Sequence, residues 1–117
     1  MALTMTPKRL ATVLLSTAPQ AIYTTNDDTT ARVMAASIAN NSGSEATYTL
    51  WAPECGSPSD ANLIAENVSV PGGGAPQDVT GLLRQDIEPG WTVYAQADTD
   101  AVLTLTMSGT EFTESAE

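Results

Sequence analysis

The chain has 117 residues, a formal net charge of −10, no histidine and a single cysteine. This length allows one domain with one hydrophobic core and leaves no room for a substrate domain beside a cofactor domain, so large enzymes are excluded. Because histidine is absent, Ser-His-Asp and Cys-His catalytic sites and histidine metal ligands are also excluded. The sequence predicts a small module that is not an enzyme and needs no cofactor.

The basic residues of the chain are only Lys8, Arg9, Arg32 and Arg84. Phosphate backbones and anionic lipid surfaces are bound by clustered lysine and arginine side chains, which this chain does not supply. No apolar run reaches the roughly 20 residues that a membrane-spanning helix needs. We therefore expect neither nucleic acid nor a membrane as the partner.

The N-terminal segment, residues 1–7, is predicted to be an extended arm that precedes the folded domain. Pro7 disfavours a helical conformation at Thr6, which leaves this segment extended. Leu3 and Met5 stand at alternate positions and, with Pro7, are the candidate residues for contact with a partner. The alternative is an ordinary loose terminus without a binding role.

The next segment begins with Lys8-Arg9 and continues with a mainly apolar run and then small residues, up to residue 18, which is the order of basic, apolar and small residues in a secretory signal. Thr12 interrupts the apolar run, and the same residues alternate as in a strand. Leu10, Thr12 and Leu14 would then share one side. A first β-strand is the favoured interpretation.

Alternation of apolar and polar residues continues along the chain and predicts further strands, separated by turns rich in Gly, Pro, Asn and Asp. The predicted strands are Ala21–Thr25, Ala31–Asn40, Ala46–Trp51, Asn62–Val70, Asp78–Arg84, Trp91–Ala97 and Ala101–Met107. With the first strand they predict an all-β fold, a single antiparallel β-sandwich or jelly-roll-like domain of about eight short strands. This domain is predicted to cover residues 8–111, with an acidic C-terminal tail at residues 112–117.

The alternation also predicts which side chains face the core. Ala46, Tyr48 and Leu50 fall on one face of their strand, which leaves Trp51 on the opposite face. The last two strands follow each other after the short connection Asp98-Thr99-Asp100, so they are predicted to form a hairpin.

The residues that could serve in catalysis or in metal binding lie in predicted loops and turns, and this position is enough to explain their presence. Cys55 lies in a loop that contains proline and glycine, next to Glu54, whose negative charge disfavours a reactive thiolate. Asp27-Asp28 and the pair Asp98 and Asp100 offer carboxylates for Ca²⁺, but neither matches an EF-hand loop and aspartate is common in turns. No metal site is predicted.

The order of several segments resembles that of one protein family. The segments are Gln20–Thr24, Thr30–Val33, Ile38–Asn40, Ala46–Trp51, Pro89–Ala97 and Val102–Gly109. In this order they look like the small β-sandwich virion proteins of tailed bacteriophages, over roughly residues 10–111. The chain departs from the family pattern at Trp91, where aspartate is frequent, and in its acidic end, Glu111–Glu117.

The resemblance implies a role in assembly, most simply a capsid decoration (cement) protein that is located in the virion and assembled in the host cytoplasm. Its partner would be the major capsid protein or another virion protein. A homo-oligomer is expected, with a trimer favoured, because several weak contacts then act together. The alternative within phages is a neck or tail adaptor or a fibre-associated protein.

Outside phages, the alternative is a carbohydrate-binding or adhesion module. Trp51 and Tyr94 are the candidates for a solvent-facing platform on which a sugar would stack. A glycoside hydrolase is not favoured, because its cleft needs several aromatic side chains and aromatic residues are only 5% of this chain.

Overall fold

A computed structural model describes residues 2–54 and 63–115 of the chain. Over these residues the chain forms nine β-strands and one 3₁₀ turn at Thr80–Leu82. The strands are β1 (Ala2–Leu14), β2 (Gln20–Thr24), β3 (Thr29–Asn40), β4 (Ala46–Glu54), β5 (Leu63–Val70), β6 (Gln77–Asp78), β7 (Asp86–Ile87), β8 (Thr92–Ala97) and β9 (Leu103–Ser115).

The strands form two antiparallel sheets that pack face to face. The long sheet has the order β1-β9-β3-β6, and β7 also pairs with β3. The short sheet has the order β2-β8-β4-β5. The predicted all-β sandwich is therefore confirmed.

The core lies between the two sheets and is built from every second residue of their strands. Leu103, Leu105 and Met107 of β9 have 0% exposure, and Val93 and Ala95 of β8 match them in the short sheet. Alternation in the sequence places these side chains on one face of each strand, where burial removes their apolar surface from water. The face predicted for β4 is confirmed, because its alternate residues Ala46, Tyr48 and Leu50 are buried.

The end of β3 is tied to the short sheet by one buried side chain, Asn40. Its Nδ2 donates to the backbone oxygens of Ser44 at 2.7 Å and Val70 at 3.0 Å. Its Oδ1 accepts from the backbone N–H of Ser42 at 2.9 Å and from the Ser42 hydroxyl at 2.7 Å. A buried amide is stable only when its donors and acceptors are paired, and Asn40 meets this requirement while joining two sheets.

The described residues of the predicted N-terminal arm and of the predicted C-terminal tail lie in strands that pair with each other. Residues 2–7 form the first half of β1, in register with residues 110–115 of β9. Pro7 stands at the predicted boundary between arm and domain, yet proline fits an edge strand, where one side of the backbone has no neighbouring strand to bond. The strand pairing therefore continues beyond both predicted boundaries.

A β-bulge in β1 changes the faces predicted for its second half. The register with β9 shifts between Arg9 and Ala11, so Leu10 is the extra residue. Leu10 and Ala11 are both buried, whereas Thr12 and Leu14 are exposed. The prediction that Leu10 shares a face with Thr12 and Leu14 is wrong, because strict alternation does not survive an inserted residue.

The predicted hairpin of the last two strands is also wrong, since β8 belongs to the short sheet and β9 to the long sheet. Two backbone hydrogen bonds hold the connection: the Asp98 N–H donates to the Thr47 carbonyl of β4 at 3.0 Å, and the Ala101 N–H donates at 3.2 Å to the carbonyl of Leu15, the residue after β1. Ala101 has φ of +60°, which turns the chain from one sheet to the other. Alternation indicates the buried face of a strand and does not identify its neighbour.

The segment Asp78–Arg84, predicted as one strand, is divided between the end of β6 and the 3₁₀ turn. Val79 and Leu82 are both fully buried. Residues three apart lie on opposite faces of a strand but on the same side of a 3₁₀ turn, so coiling buries both side chains. Within the predicted strand Asn62–Val70, β5 is described from Leu63 onward, and Asn62 and Cys55 lie outside the described residues.

Gly109 permits a close approach between the backbones of β9 and β3. A Cβ atom at this position would lie 1.9 Å from the backbone oxygen of Arg32. The contact is with backbone rather than with a flexible side chain, so the strands would have to move apart. Glycine is required here for space.

Replacing Gly109 with alanine is therefore expected to lower the free energy of unfolding by about 1–3 kcal/mol, the usual cost of forcing extra atoms into a packed site. Gly43→Ala is the matched control, because a Cβ at Gly43 meets nothing within 4 Å. Urea unfolding of both variants would measure the difference. Equal stability of the two variants would contradict the close approach of β3 and β9.

Candidate functional site

The strand β1 forms an exposed edge of the long sheet. One side of its backbone pairs with β9, and in the described part of the chain no strand pairs with the other side. Met5 is 62% exposed and Leu14 is 48% exposed, and they are two of the large apolar side chains that the described residues leave in water. The strand contains Lys8 and Arg9 and no acidic residue, although the whole chain carries a net charge of −10.

The three candidate contact residues from the sequence all belong to this edge strand. Leu3 is in register with Glu114, Met5 with Phe112 and Pro7 with Thr110. The structure thus brings them together on one strand, at alternate positions. The sequence did not predict that β1 is an exposed edge strand, because the alternation of residues within a strand does not show which other strands pair with it.

A polar cluster links the two sheets beside the edge strand. The Tyr23 hydroxyl of β2 donates to Oε2 of Glu111 in β9, and the Lys8 ammonium of β1 donates to Oε1 of the same carboxylate at 3.4 Å. Burial raises the pKa of the Tyr23 hydroxyl well above its usual range, and the hydrogen bond to Glu111 and its negative charge raise it further. Glu111 continues the inward alternation of β9, which is the signal that could have predicted this cluster.

A groove of about 260 Å³ lies on the outer face of the short sheet, across β4, β5 and β8. Its described lining combines one aromatic ring and two aliphatic residues with hydroxyl, amide and carboxylate groups. The lining residues are Thr49, Trp51, Leu63, Glu66, Asn67, Gln96, Ala97 and Asp98. The groove therefore offers polar contacts around a single aromatic side chain.

The two residues predicted as a sugar platform take different positions. Trp51 and Tyr94 are direct neighbours across β4 and β8, as a platform requires. Trp51, however, is only 8% exposed and lines the groove, whereas Tyr94 is half-buried and is not one of the described lining residues. An open stacking surface made by both rings is not what the structure shows.

The aspartates considered as calcium ligands hold turns together. The Asp28 Oδ1 accepts from the Thr29 hydroxyl at 2.9 Å, and the Asp100 Oδ1 accepts from the Thr17 N–H at 3.3 Å. Asp98 Oδ1 accepts from the Thr47 N–H at 2.9 Å, and this bond holds the pKa of the carboxyl below its usual range. Among the described residues, no group of three or more His, Cys, Asp or Glu side chains is arranged to bind a metal ion.

The sequence matches no protein-family model and no curated protein, and the fold matches no solved structure. Within residues 2–54 and 63–115, no helix is long and apolar enough to span a membrane.

The link between Tyr23 and Glu111 predicts a specific loss of stability in alkali. The pKa of Tyr23 is raised in the folded state above its ordinary value of 10.0, so its contribution to stability is fully present below that pH. As the pH rises further, the unfolded chain loses the tyrosine proton first and folding is disfavoured. Burial also raises the pKa of Tyr48, so Tyr48 adds a similar loss of stability in alkali. The contribution of Tyr23 is therefore isolated by comparing two proteins that both retain Tyr48.

Tyr23→Phe is therefore expected to be less stable than the wild type near neutral pH, by about 1 kcal/mol for the lost hydrogen bond. The difference between the two proteins should shrink as the pH is raised from about 9 to about 11, because the wild type alone carries the Tyr23 penalty. Urea unfolding at a series of pH values measures it. A difference that stays constant over this range would contradict the assignment, since Tyr48 is present in both proteins.

Proposed function

We propose that this protein is an accessory structural protein of a tailed-phage virion that decorates the assembled capsid. The observation that carries the proposal is the exposed edge strand β1, which spans 13 residues. The proposal also rests on the resemblance of the ordered segments to small β-sandwich virion proteins. In this role the protein would bind the coat lattice and stabilise it against disassembly.

A long exposed edge strand can pair with a strand of another protein unless its own residues prevent this pairing. Edge strands usually avoid unwanted pairing by being short or by carrying charges and proline. In β1 the blunting residues Pro7, Lys8 and Arg9 lie together near the middle, and the residues on both sides of them are uncharged. The uncharged parts are suited to adding a strand from a partner, with main-chain hydrogen bonds as the basis of affinity.

The charge of β1 selects the partner. Two copies that paired antiparallel through the middle of β1 would bring their Lys8 and Arg9 side chains close together, and the repulsion disfavours this dimer. A coat-protein strand with acidic residues at the matching positions would be attracted instead. The proposed partner of β1 is therefore an exposed acidic strand of the major capsid protein, and the expected trimer would form through another surface.

The proposed stabilisation of the capsid follows from the thermodynamic linkage between binding of this protein and assembly of the coat subunits. A protein that binds the assembled lattice better than the free subunits shifts the equilibrium toward the assembled state. If three copies are joined, three modest contacts act at high effective concentration and hold the protein in place. A neck or tail adaptor could use the same edge strand, and it differs in the number of copies for each virion.

Met5→Lys is expected to weaken binding to phage particles that lack the native protein by about tenfold or more, because it loses an apolar contact and adds a charge at the edge. Met34→Lys is the matched control. Met34 is 59% exposed, close to the 62% of Met5, but it lies in β3, inside the long sheet. Co-sedimentation with the particles measures occupancy.

The heat resistance of the same particles gives a second readout. Particles carrying the Met34 variant should break at the same temperature as those carrying the wild-type protein, and particles carrying the Met5 variant at a lower one. Equal occupancy of the Met5 and Met34 variants would show that the edge strand does not make the contact.

A further inference from the structure

The groove on the short sheet has features of a binding site that the proposed capsid contact does not use. It lies on the outer face of β4, β5 and β8, in the sheet opposite the one that contains β1. A ligand in this groove would leave the edge strand β1 accessible. Its volume of about 260 Å³ is below the ~300–1,000 Å³ typical of sites for drug-sized ligands, so it suits a ligand about as large as one sugar ring.

A β-bulge aims two polar side chains into the groove. The pairing of β4 and β5 shifts between Tyr48 and Leu50, so that Glu66 and Asn67 both stand opposite Thr49. Regular alternation would turn only one of the two toward this face, but both line the groove. Bulges often redirect side chains beside functional sites.

The bulge is fixed by an unusual backbone conformation at Asn67. Its φ of +51° lies in the left-handed region, which asparagine tolerates better than most residues. Its backbone N–H donates to the Thr49 hydroxyl oxygen at 3.3 Å, so this hydroxyl must direct its own proton elsewhere. The backbone of Asn67 therefore orients the Thr49 hydroxyl, and the Asn67 side chain lines the same wall of the groove.

The opposite wall presents acceptor groups whose orientation is already set. The Nε2 of Gln96 donates to the Thr17 carbonyl at 2.7 Å, which fixes the amide and leaves its Oε1 as the acceptor end. Asp98 receives two hydrogen bonds, from the Thr47 N–H at 2.9 Å and the Thr99 hydroxyl at 3.2 Å, and both are accepted by Oδ1. Polar groups held in place by their neighbours bind ligands without a large ordering cost.

We propose that this groove binds a neutral saccharide unit. Carboxylate and amide groups at fixed positions match the paired hydroxyls of a sugar ring, and Trp51 supplies an apolar contact for its C–H groups. A lipid is disfavoured by the polar lining. An acidic sugar or a phosphate is disfavoured because Glu66 and Asp98 are acidic and no basic residue is among the described lining residues.

The proposal is tested by NMR titration of the folded, ¹⁵N-labelled protein with the methyl glycosides of glucose, galactose, mannose and N-acetylglucosamine, with sialic acid as the acidic probe. At least one neutral glycoside should shift the resonances of the groove residues, including the Trp51 indole and the Asn67 and Gln96 amides. Absence of such shifts with all four neutral glycosides, or a preference for sialic acid, would overturn the proposal.

Two variants test the groove without disturbing the core. Asn67→Gly removes the side-chain amide while keeping a residue that accepts a positive φ, and Gln96→Ala removes the acceptor on the opposite wall. Each should weaken binding of the glycoside by about tenfold.

Tyr94→Ala is the matched control, since Tyr94 lies on the same outer face but is not a described lining residue. The affinity of this variant for the glycoside should stay within about twofold of the wild-type value. Loss of binding with Tyr94→Ala alone would mean an open aromatic platform and would overturn the groove assignment.

Discussion

The pairing of β9 with both β1 and β3 is the interaction on which the rest of the structure depends. The inward-facing residues of β9, Leu103, Leu105 and Met107, are fully buried and form the long sheet's central contribution to the core. Farther along, Gly109 lets β3 approach the β9 backbone, and Glu111 then reaches the Tyr23 hydroxyl of the short sheet. One strand therefore sets the core, the spacing of its neighbours and a polar link between the sheets.

The length of β9 also determines the surface to which we assign function. Because β9 continues to Ser115, β1 has a partner strand from Ala2 onward and can form a long, ordered edge. An ordered edge binds an incoming strand at lower entropic cost than a loose arm that must first become ordered. The N-terminal contact residues thus acquire their proposed role through the strand that supports them.

The two proposed binding surfaces lie on different sheets. The proposed edge pairing would involve β1 of the long sheet, whereas the groove around Trp51 lies on the short sheet. The contacts differ in physical kind as well. Strand pairing would take its affinity mainly from backbone hydrogen bonds, with the side chains of β1 selecting the partner, whereas binding in the groove would depend on side chains such as Asn67, which stands in a local bulge.

The sequence was most informative where one local rule decides the outcome. Alternation correctly placed Ala46, Tyr48 and Leu50 in the core, because a strand with one buried face needs apolar residues at every second position. It failed at Leu10, where a bulge inserts an extra residue, and at the connection after β8, where the next strand joins the other sheet. Bulges and partner choice depend on distant parts of the chain, so the edge strand and the groove were beyond prediction from local pattern.

The proposed role is tested most directly by quantitative mass spectrometry of purified virions of the phage in whose genome the gene for this chain is expected to lie. A decoration protein that occupies the symmetric coat lattice should be present at a copy number on the order of hundreds for each particle. About a dozen copies or fewer would place it at the neck or tail. Its absence from purified virions would contradict the assignment to the virion altogether.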